Sequence, residues 1–263
     1  MDELISSRSN PLVRQVRQLR TRKGRSEAGL FLAEGIHHVG EAVEAGWTIE
    51  ALLYAPGLLK GDFANRLVDG QTRLGVRVAA LTGELFSSLA DKDNPQGLLA
   101  ILRPRTWTLN HLTGEKIHFG VAIVGAQDPG NVGAILRTVD AVGADALFLL
   151  DGGVDPYHPS VVRASMGTIF WKPVLQIPFT EFHLWSHDQG FQLVGTSAHA
   201  TMDYRAYQRG DAALILVLGS EQKGLSPEQA AACDIVISLP MRGRASSLNL
   251  AVAAGILLYS LGE

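Results

Sequence analysis

Residues 119–145 read "FGVAIVGAQDPGNVGAILRTVDAVGAD", an apolar run followed by a glycine-bearing turn and an amphipathic segment. A near-continuous apolar run predicts a strand that is buried on both faces of a parallel sheet. Apolar positions at helical spacing then predict a helix that begins near Asn131. Because ligands of open α/β sheets bind beyond the carboxyl ends of the strands, this turn is predicted to lie at a binding edge.

A dinucleotide-binding turn is one alternative for this stretch. That fingerprint requires G-x-G-x-x-G and an acidic residue about 20 positions later. The glycines here stand at 125, 130 and 133, so the first tight turn is missing, although Asp151 takes the place of the acid. No Gly-Lys-Ser/Thr follows, which excludes a P-loop. A Rossmann oxidoreductase therefore remains only as a third alternative.

The second half of the chain alternates strand and helix patterns. Further apolar runs are "ALFLLDG", "FQLVGTSA", "ALILVLGS" and "DIVISLP". Predicted helices are "NVGAILRTVDAVG", "PSVVRASMGTIF", "EFHLWSHDQ", "SPEQAAAC" and "SSLNLAVAAGILLYSLG". This alternation is typical of an α/β fold with a parallel sheet, and it predicts a domain over residues 119–263.

The first half predicts a smaller α/β unit. "SNPLVRQVRQLR" offers Ser9 or Asn10 as N-cap, Pro11 at the first helical position, and one stripe of Leu12, Val16 and Leu19. The strand patterns are "LFLAEG", "IEALLYAP", "VRVAALT" and "GLLAIL"; helices are predicted at "IHHVGEAVEAG", "GDFANRLVDG" and "GELFSSLADKD". We predict a domain over residues 1–103 and a linker over 104–118, where Pro, Thr, Asn and Gly mix without periodicity.

Charge is unevenly distributed. The net charge is −3, yet residues 8–25 hold seven basic residues and no acidic one. Such a block is suited to binding phosphates; the alternative is a solvated helix face followed by a basic loop. "TRKGRSEAG" is interpreted as that loop.

Composition limits the remaining classes. The chain of 263 residues is 46% hydrophobic and 19% charged, as expected for a globular protein with a large core. No apolar run reaches the length of about 20 residues that spans a bilayer. The single cysteine, Cys233, cannot form an internal disulfide, and no Cys/His cluster has zinc-ligand spacing. We expect a soluble, cytoplasmic protein without a metal site or a membrane segment.

Two further strand ends are unusual: "LVLGSEQKGLS" at 216–226 and "ISLPMRGRASSLNLAVAAG" at 237–255. Together with the first stretch, they resemble the three motifs of the SpoU-type RNA 2′-O-ribose methyltransferases, which belong to the SPOUT class. The first motif is matched by Asn131, Gly133 and Arg137. The second is matched by Gly219, Glu221 and Gly224-Leu225. The third is matched by Pro240, Met241, Gly243, Ser247, Leu248 and Asn249.

The resemblance covers roughly residues 119–261. It implies S-adenosylmethionine as the methyl donor, a C-terminal parallel-sheet domain with a trefoil knot, and a homodimer formed through this domain whose active site uses both chains. The N-terminal part resembles, more loosely, the ribosomal-protein-like RNA-binding domain of many members, through "FLAEG" and "PQGLLAIL". The implied function is methylation of a ribose 2′-OH in RNA, with ribosomal (23S) RNA favoured. The alternatives are a tRNA 2′-O-methyltransferase and a non-catalytic RNA-binding or assembly factor.

The resemblance also assigns the candidate site. The catalytic candidates are Asn131, Arg137, Glu221, Ser247 and Asn249. The cofactor-binding candidates are Thr196, Gly219, Leu239, Met241 and Leu248. The RNA-binding candidates are Arg14, Arg17, Arg20, Arg22, Lys23 and Arg25. Family proposals make the arginine at position 137 a base, but a guanidinium stays protonated up to about pH 12. Stabilisation of the developing alkoxide by a phosphate-bound Arg137 is physically easier.

Each candidate also has an ordinary structural interpretation. Asn131 could be only a helix N-cap, a role for which Asn is well suited. Arg137 could be a surface arginine, Glu221 a capping carboxylate and "SSLN" the cap of a core helix. "LAVAAGILLY" fits buried packing in a core or a dimer, and Cys233 fits a core position. The ordered occurrence of all three motifs favours the enzyme.

Overall fold

The computed structural model describes residues 4–91, 94–114 and 116–262. The chain forms two compact units. The first comprises residues up to Arg105 together with Tyr157–Phe170, and the second comprises Thr106–Pro156 and the chain from Trp171 onward. The chain therefore leaves the second unit, contributes one segment to the first, and returns.

The first unit contains a four-stranded mixed sheet. Its elements in chain order are α1 (Pro11–Leu19), α2 (Arg22–Ala28), β1 (Phe31–Glu34), α3 (Ile36–Glu44), β2 (Ile49–Tyr54), α4 (Asp62–Arg73), β3 (Arg77–Ala80), α5 (Gly83–Ser87) and β4 (Leu98–Leu102). The strand order is β1-β4-β2-β3. Strand β4 is antiparallel to both of its neighbours, whereas β2 and β3 are parallel.

Helix α1 shows how the sequence builds this unit. Asn10 is its N-cap and accepts a hydrogen bond from the Leu12 N–H at 2.9 Å, with Pro11 at the first helical position. Leu12, Val16 and Leu19 are fully buried, as predicted, and Val13 is buried beside them. These side chains join a core cluster that includes residues of β1, β2, β4 and α5.

Residues 157–170 complete the first unit. This segment contains α7 (Pro159–Ala164) and a 3₁₀ turn (Thr168–Phe170). Phe170 is buried against Phe31 and Trp47, and the Trp47 indole N–H donates to the Phe170 carbonyl at 2.8 Å. The Arg163 guanidinium forms an ion pair with Asp91. The segment is therefore part of the core of the first unit and not a surface loop.

The second unit is a parallel sheet of seven strands. In chain order it contains β5 (Phe119–Val124), α6 (Pro129–Ala141), β6 (Ala146–Leu150), β7 (Val174–Ile177), α8 (Phe179–Asp188), β8 (Gln192–Thr196), β9 (Met202–Asp203), β10 (Leu214–Leu218), α9 (Pro227–Ala231), β11 (Ile235–Ser238) and α10 (Leu250–Gly262). The strand order is β7-β6-β5-β10-β8-β11-β9, and every pairing is parallel.

Both faces of the central strands are buried, which explains their unbroken apolar sequences. On one face, Phe148 of β6 and Val217 of β10 belong to the same buried cluster as Phe182 of α8. Helices α6 and α10 pack against each other. Burial raises the pKa of the Cys233 thiol to about 11, as expected for a thiol that packs inside the protein. The trefoil knot implied by the family resemblance stays a prediction.

Several elements differ from the sequence expectations. The segment interpreted as a basic loop forms α2, which Thr21 caps through the Gly24 N–H and which ends at Gly29 with a left-handed backbone (φ 61°). The short strands β7 and β9 were not predicted. Helix α10 begins at Leu250, so "SSLN" precedes it. Within the predicted linker over 104–118, Leu109–His111 form a 3₁₀ turn, and Leu112 and Ile117 are buried in the core of the second unit.

Candidate active site

The three motif stretches meet at the carboxyl edge of the parallel sheet. They follow β5, β10 and β11, and the order β5-β10-β8-β11 leaves only β8 between the last two. Parallel strands direct their carboxyl ends to one edge, so residues about 90 and 118 positions apart in sequence converge there. The predicted binding edge is therefore assembled within one chain.

The first motif lies on the first turn of α6. Asp128 is the N-cap, and its carboxylate accepts hydrogen bonds from the backbone N–H groups of Gly130 (2.6 Å) and Asn131 (3.2 Å). Pro129 occupies the first helical position. The alternative in which Asn131 is the N-cap is therefore wrong, because the preceding Asp-Pro pair starts the helix two residues earlier. The Asn131 side chain is left to make other contacts.

The second motif forms a tight turn after β10. Ser220 and Gly224 exchange two backbone hydrogen bonds, at 2.9 and 3.2 Å, and Gly224 has a left-handed backbone (φ 67°). A Cβ atom at Gly219 would lie 2.2 Å from the Gly224 carbonyl carbon, so only glycine fits there. The fold-back leaves Glu221 exposed at the edge of the sheet.

A chain of hydrogen bonds joins all three motifs. The Asn249 side-chain amide N–H donates to the Asn131 side-chain oxygen at 2.8 Å, and the Asn131 amide N–H donates to Glu221 Oε1 at 3.3 Å. The Asn249 side-chain oxygen in turn accepts from the Ala251 and Val252 N–H groups and caps α10. Asn249 thus has the capping role and contacts the first motif at the same time.

The other two catalytic candidates lie apart from this chain of bonds. Arg137 is on α6, six residues after Asn131, and its guanidinium is exposed. Ser247 is exposed in the segment that precedes α10. Neither side chain forms a hydrogen bond or ion pair with another residue in the part of the chain that the structure describes. Both are therefore available to a substrate.

The cofactor-binding candidates lie at the carboxyl edge with the motifs. Thr196 ends β8 and donates its hydroxyl hydrogen to the Val217 carbonyl at 3.2 Å. Leu239 and Met241 follow β11 and are half-buried, and the Leu248 side chain is 39% exposed. Exposed apolar side chains beside backbone groups provide what an adenine ring requires, namely apolar walls and backbone hydrogen bonds. The residues present fit S-adenosylmethionine.

Two oppositely charged residues lie at the end of β9: Asp203 is its last residue, and Arg205 follows it. Arg205 lowers the pKa of Asp203 to about 2, chiefly by a side-chain hydrogen bond to its carboxylate and then by a backbone one, and the Arg242 charge adds to the shift. Arg205 is therefore neutralised by its own ion pair, whereas Arg242 forms none with any described residue.

The RNA-binding candidates fall into two groups. Arg14, Arg17, Arg22 and Lys23 are exposed on α1 and α2. Arg20 is half-buried; it pairs with Glu34 at 2.6 Å and donates to the Leu89 carbonyl. Arg25 is only 5% exposed and donates to the carbonyls of Leu19 and Arg20. The prediction that Arg25 contacts RNA at the surface is wrong, because its buried guanidinium donates to the carbonyls at the end of α1.

Sequence reasoning missed Asp128 as a site residue. An Asp-Pro pair directly before an apolar helical pattern is an N-cap signal that could have identified it. No described helix is long and apolar enough to cross a bilayer. Over residues 4–91, 94–114 and 116–262, no group of three or more His, Cys, Asp or Glu side chains is arranged to hold a metal ion.

Comparison with known proteins gives family matches for both halves of the chain. Residues 118–259 match the SpoU rRNA Methylase family, and residues 10–100 match the MRM3-like substrate binding domain. The 23S rRNA (guanosine(2553)-2′-O)-methyltransferase RlmP of Bacillus subtilis is 30% identical, over 98% of this chain and 98% of its own length. The 23S rRNA (uridine(2479)-2′-O)-methyltransferase of Streptomyces viridochromogenes is 31% identical, over 97% of this chain and 90% of its own length.

A solved structure is similar over the whole chain. The AdoMet-bound rRNA methyltransferase from Sinorhizobium meliloti superimposes with a TM-score of 0.91 at 32% identity, covering 98% of this chain and 97% of that one. The fold and the site define an enzyme of the SPOUT methyltransferase class. Within that class, the chain belongs to the SpoU rRNA Methylase family.

The comparisons confirm the expectations that rested on the family resemblance. These are the family itself, the α/β fold class with an N-terminal substrate-binding domain, and an enzyme that uses S-adenosylmethionine to methylate RNA.

Proposed function

We propose that this chain transfers a methyl group from S-adenosylmethionine to the 2′-hydroxyl of one nucleotide in 23S ribosomal RNA. The observation that carries the proposal is the hydrogen-bonded chain Glu221–Asn131–Asn249, which joins the three motifs at the carboxyl edge of the sheet. The names of the two full-length relatives support ribosomal RNA as the substrate.

The cofactor would be held by the backbone turn at Gly219 and by the apolar side chains of Leu239, Met241 and Leu248. When bound, S-adenosylmethionine supplies a methyl group on a positively charged sulfur, which makes it electrophilic. The protein's contribution is to hold the ribose oxygen in line with that methyl group, and positioning of this kind lowers barriers by about 7–11 kcal/mol in favourable cases.

Asn131 and Arg137 would act on the ribose. The Asn131 amide is fixed in orientation, because its oxygen accepts from Asn249 and its N–H donates to Glu221. Arg137 would donate hydrogen bonds to a neighbouring phosphate and to the ribose oxygen as negative charge develops there, and the hydroxyl proton would leave to solvent. A guanidinium performs this role in its charged form, so it need not act as a base.

Replacement of Arg137 tests that role. Arg137→Ala should lower kcat by about 100-fold or more, while the affinity for S-adenosylmethionine, measured by calorimetry, changes only several-fold. In Arg137→Lys, a donor role predicts partial activity with the pH profile of the native enzyme. A rate that instead rises steadily towards the pKa of lysine, about 10.4, would identify the side chain at this position as the base.

The first unit would bind the RNA through the exposed basic residues of α1 and α2, namely Arg14, Arg17, Arg22 and Lys23. Their charge supports phosphate contact, and the match of residues 10–100 to a substrate-binding domain supports this assignment. Arg20 would orient α1 through Glu34 and would contact RNA only with its remaining N–H groups.

We further propose a homodimer formed through α10 and a cytoplasmic location with the ribosomal RNA. Val252, Ile256 and Tyr259 are 51%, 38% and 58% exposed on one side of α10, at the i, i+4, i+7 spacing of a helix stripe. An exposed apolar stripe of this kind is typical of a surface that a partner covers.

Site mapping tests the substrate. In cells that lack this gene, 23S rRNA should lose 2′-O-methylation at a single nucleotide, and the purified chain with methyl-labelled S-adenosylmethionine should restore it on that RNA. Restoration in cells must require the native gene and fail with Arg137→Ala. Loss of a tRNA methylation instead would assign the enzyme to tRNA, and binding of 23S rRNA without any transfer would make it a non-catalytic factor.

A further inference from the structure

Some basic side chains of the second unit have an ion-pair or hydrogen-bond partner among the described residues, and others have none. Its described residues include eight Lys and Arg side chains. Three are engaged: Lys172 pairs with Asp140, Arg205 pairs with Asp203, and Arg209 donates to the carbonyls of Leu261 and His118. The other five, which form no ion pair or side-chain hydrogen bond with a described residue, are Lys116, Arg137, Lys223, Arg242 and Arg244.

Three of these five cations lie on loops at the carboxyl edge of the sheet. Lys223 lies in the Ser220–Gly224 turn, two residues from Glu221. Arg242 and Arg244 lie in the exposed segment between β11 and α10, and Asn249 ties the end of that segment to Asn131. Arg137 lies on α6 after Asn131. Only Lys116, which precedes β5, is at the opposite edge.

No described carboxylate at this edge forms an ion pair with Lys223, Arg242 or Arg244. Asp128 accepts from the first turn of α6, Glu221 from Asn131, and Asp203 from Arg205. Each of these carboxylates thus accepts a hydrogen bond within the protein, and Asp203 is also ion-paired with Arg205. An exposed cation that forms no ion pair beside a reaction site is available to an anionic ligand.

The arrangement indicates a ligand with more than one anionic group. Lys223 is on one loop and Arg242 and Arg244 are on another, and the hydrogen-bonded side chains of Glu221, Asn131 and Asn249 lie between the two loops. A single phosphate could contact one loop, whereas an RNA strand that crosses the site would place successive phosphates at both.

We propose that Lys223, Arg242 and Arg244 form a phosphate clamp that binds the backbone of the substrate RNA on either side of the target nucleotide. The clamp rests on the proposed function for the identity of the nucleotide, but not for the binding itself. It would contact phosphates only, so it would position the strand and contribute no base specificity. The three residues belong to the second unit, whereas the basic residues of α1 and α2 belong to the first.

The test removes the three charges together. The triple variant Lys223→Gln, Arg242→Gln, Arg244→Gln should bind a short single-stranded oligoribonucleotide and an unmodified 23S rRNA transcript roughly tenfold more weakly in fluorescence anisotropy. The slope of log affinity against log salt should fall by about 2, since each single-stranded phosphate contact contributes about 0.7. KM for 23S rRNA should rise in parallel.

Two controls separate this effect from others. Lys116→Gln removes one positive charge from an exposed side chain at the opposite edge of the unit, and it should leave RNA affinity and activity at native values. The charge-preserving triple variant, Lys223→Arg with Arg242→Lys and Arg244→Lys, should restore most of the affinity and the salt slope. S-adenosylmethionine affinity and Tm should match the native chain in all variants.

The outcomes are distinct. Native affinity and native salt slope in the triple glutamine variant would overturn the clamp, even if the enzyme methylates 23S rRNA as proposed. Equal losses in Lys116→Gln would also overturn it, because they would show a nonspecific charge effect. If the native chain transfers no methyl group to RNA, the proposed function fails, and the binding titrations still decide the clamp.

Discussion

The Asn249 side chain illustrates how one residue can be structural and functional at once. Its oxygen caps α10 and its N–H orients Asn131. An aspartate at this position would keep the cap, since Asp and Asn are equivalent N-caps. It would have no N–H for Asn131, which would then have to turn its amide away from Glu221. Substitution at 249 can therefore separate the two roles.

We predict that Asn249→Asp leaves the free energy of unfolding within about 0.5 kcal/mol but lowers kcat roughly 10–100-fold through misplacement of Asn131. Asn249→Ala should lose activity, and its free energy of unfolding should fall by about 1 kcal/mol. Urea unfolding and single-turnover kinetics measure the two effects. As a control, Asn10→Asp on α1 should retain stability and kcat. Full activity of Asn249→Asp would show that the Asn249–Asn131 bond does not matter.

At the residue scale, the sequence predicted that the three motif stretches follow strands, and parallel strands bring their carboxyl ends to one edge. The direct contacts of Asn131 with Glu221 and Asn249 within one chain were not predicted. The capping role of Asp128 was readable from Asp128-Pro129 but was assigned to Asn131. The burial of Arg25 was not readable, because a basic run carries no apolar periodicity to show which side chains turn inward. In the structure, its guanidinium donates to the carbonyls that end α1.

At the scale of elements, the basic residues of α1 and α2 should divide into two classes. Arg25→Gln should lower the free energy of unfolding by about 1–3 kcal/mol, because two carbonyl groups lose a charged donor in a buried position. Arg17→Gln, on the exposed side of α1, should change the free energy of unfolding by no more than about 0.5 kcal/mol. It should reduce the slope of log RNA affinity against log salt by about 0.7. The reverse pattern would place the RNA-binding face elsewhere.

The exposed stripe of α10 predicts the oligomeric state. Ile256→Lys should convert a dimer to a monomer in light scattering, because a charge in the centre of an apolar contact is left desolvated and unpaired. Methylation should fall with it, since the family resemblance implies a site built from both chains. Leu184→Lys is the matched control, because Leu184 is 67% exposed on α8. If Ile256→Lys elutes as the native chain does, another surface forms the dimer.

The elements that sequence reasoning missed are short or lack an apolar pattern. Helix α2 has a clear cap at each end, Thr21 and Gly29, but no apolar stripe to reveal it. Strands β7 and β9 hold four and two residues. The long central strands were predictable because both of their faces are covered and every position is apolar.

At the scale of the whole molecule, the first unit depends on a segment that is distant in sequence. We predict that Phe170→Ala lowers the free energy of unfolding of this unit by about 3–5 kcal/mol, since Phe170 is fully buried against Phe31 and Trp47. Calorimetry would measure the shift. Leu74 lies in the same unit with its side chain 77% exposed. Leu74→Ala should therefore change the free energy of unfolding by no more than about 0.5 kcal/mol.

A loss of stability no larger for Phe170→Ala than for Leu74→Ala would show that residues 157–170 are dispensable for the first unit. The role of this segment could not be predicted from the sequence. Its local pattern correctly predicted a helix. Local periodicity does not, however, reveal which unit that helix packs against.

The passage of residues 157–170 through the first unit also affects the order of events during synthesis. Domains generally fold in sequence as the ribosome releases them, at roughly 5–20 residues per second. Here the chain up to Arg105 emerges with Phe31 and Trp47 still lacking Phe170. Their apolar surface then stays exposed for a time on the order of several seconds. We expect the nascent chain to be most prone to chaperone binding in this interval, which ends when β6 has been made and the segment after it leaves the ribosome.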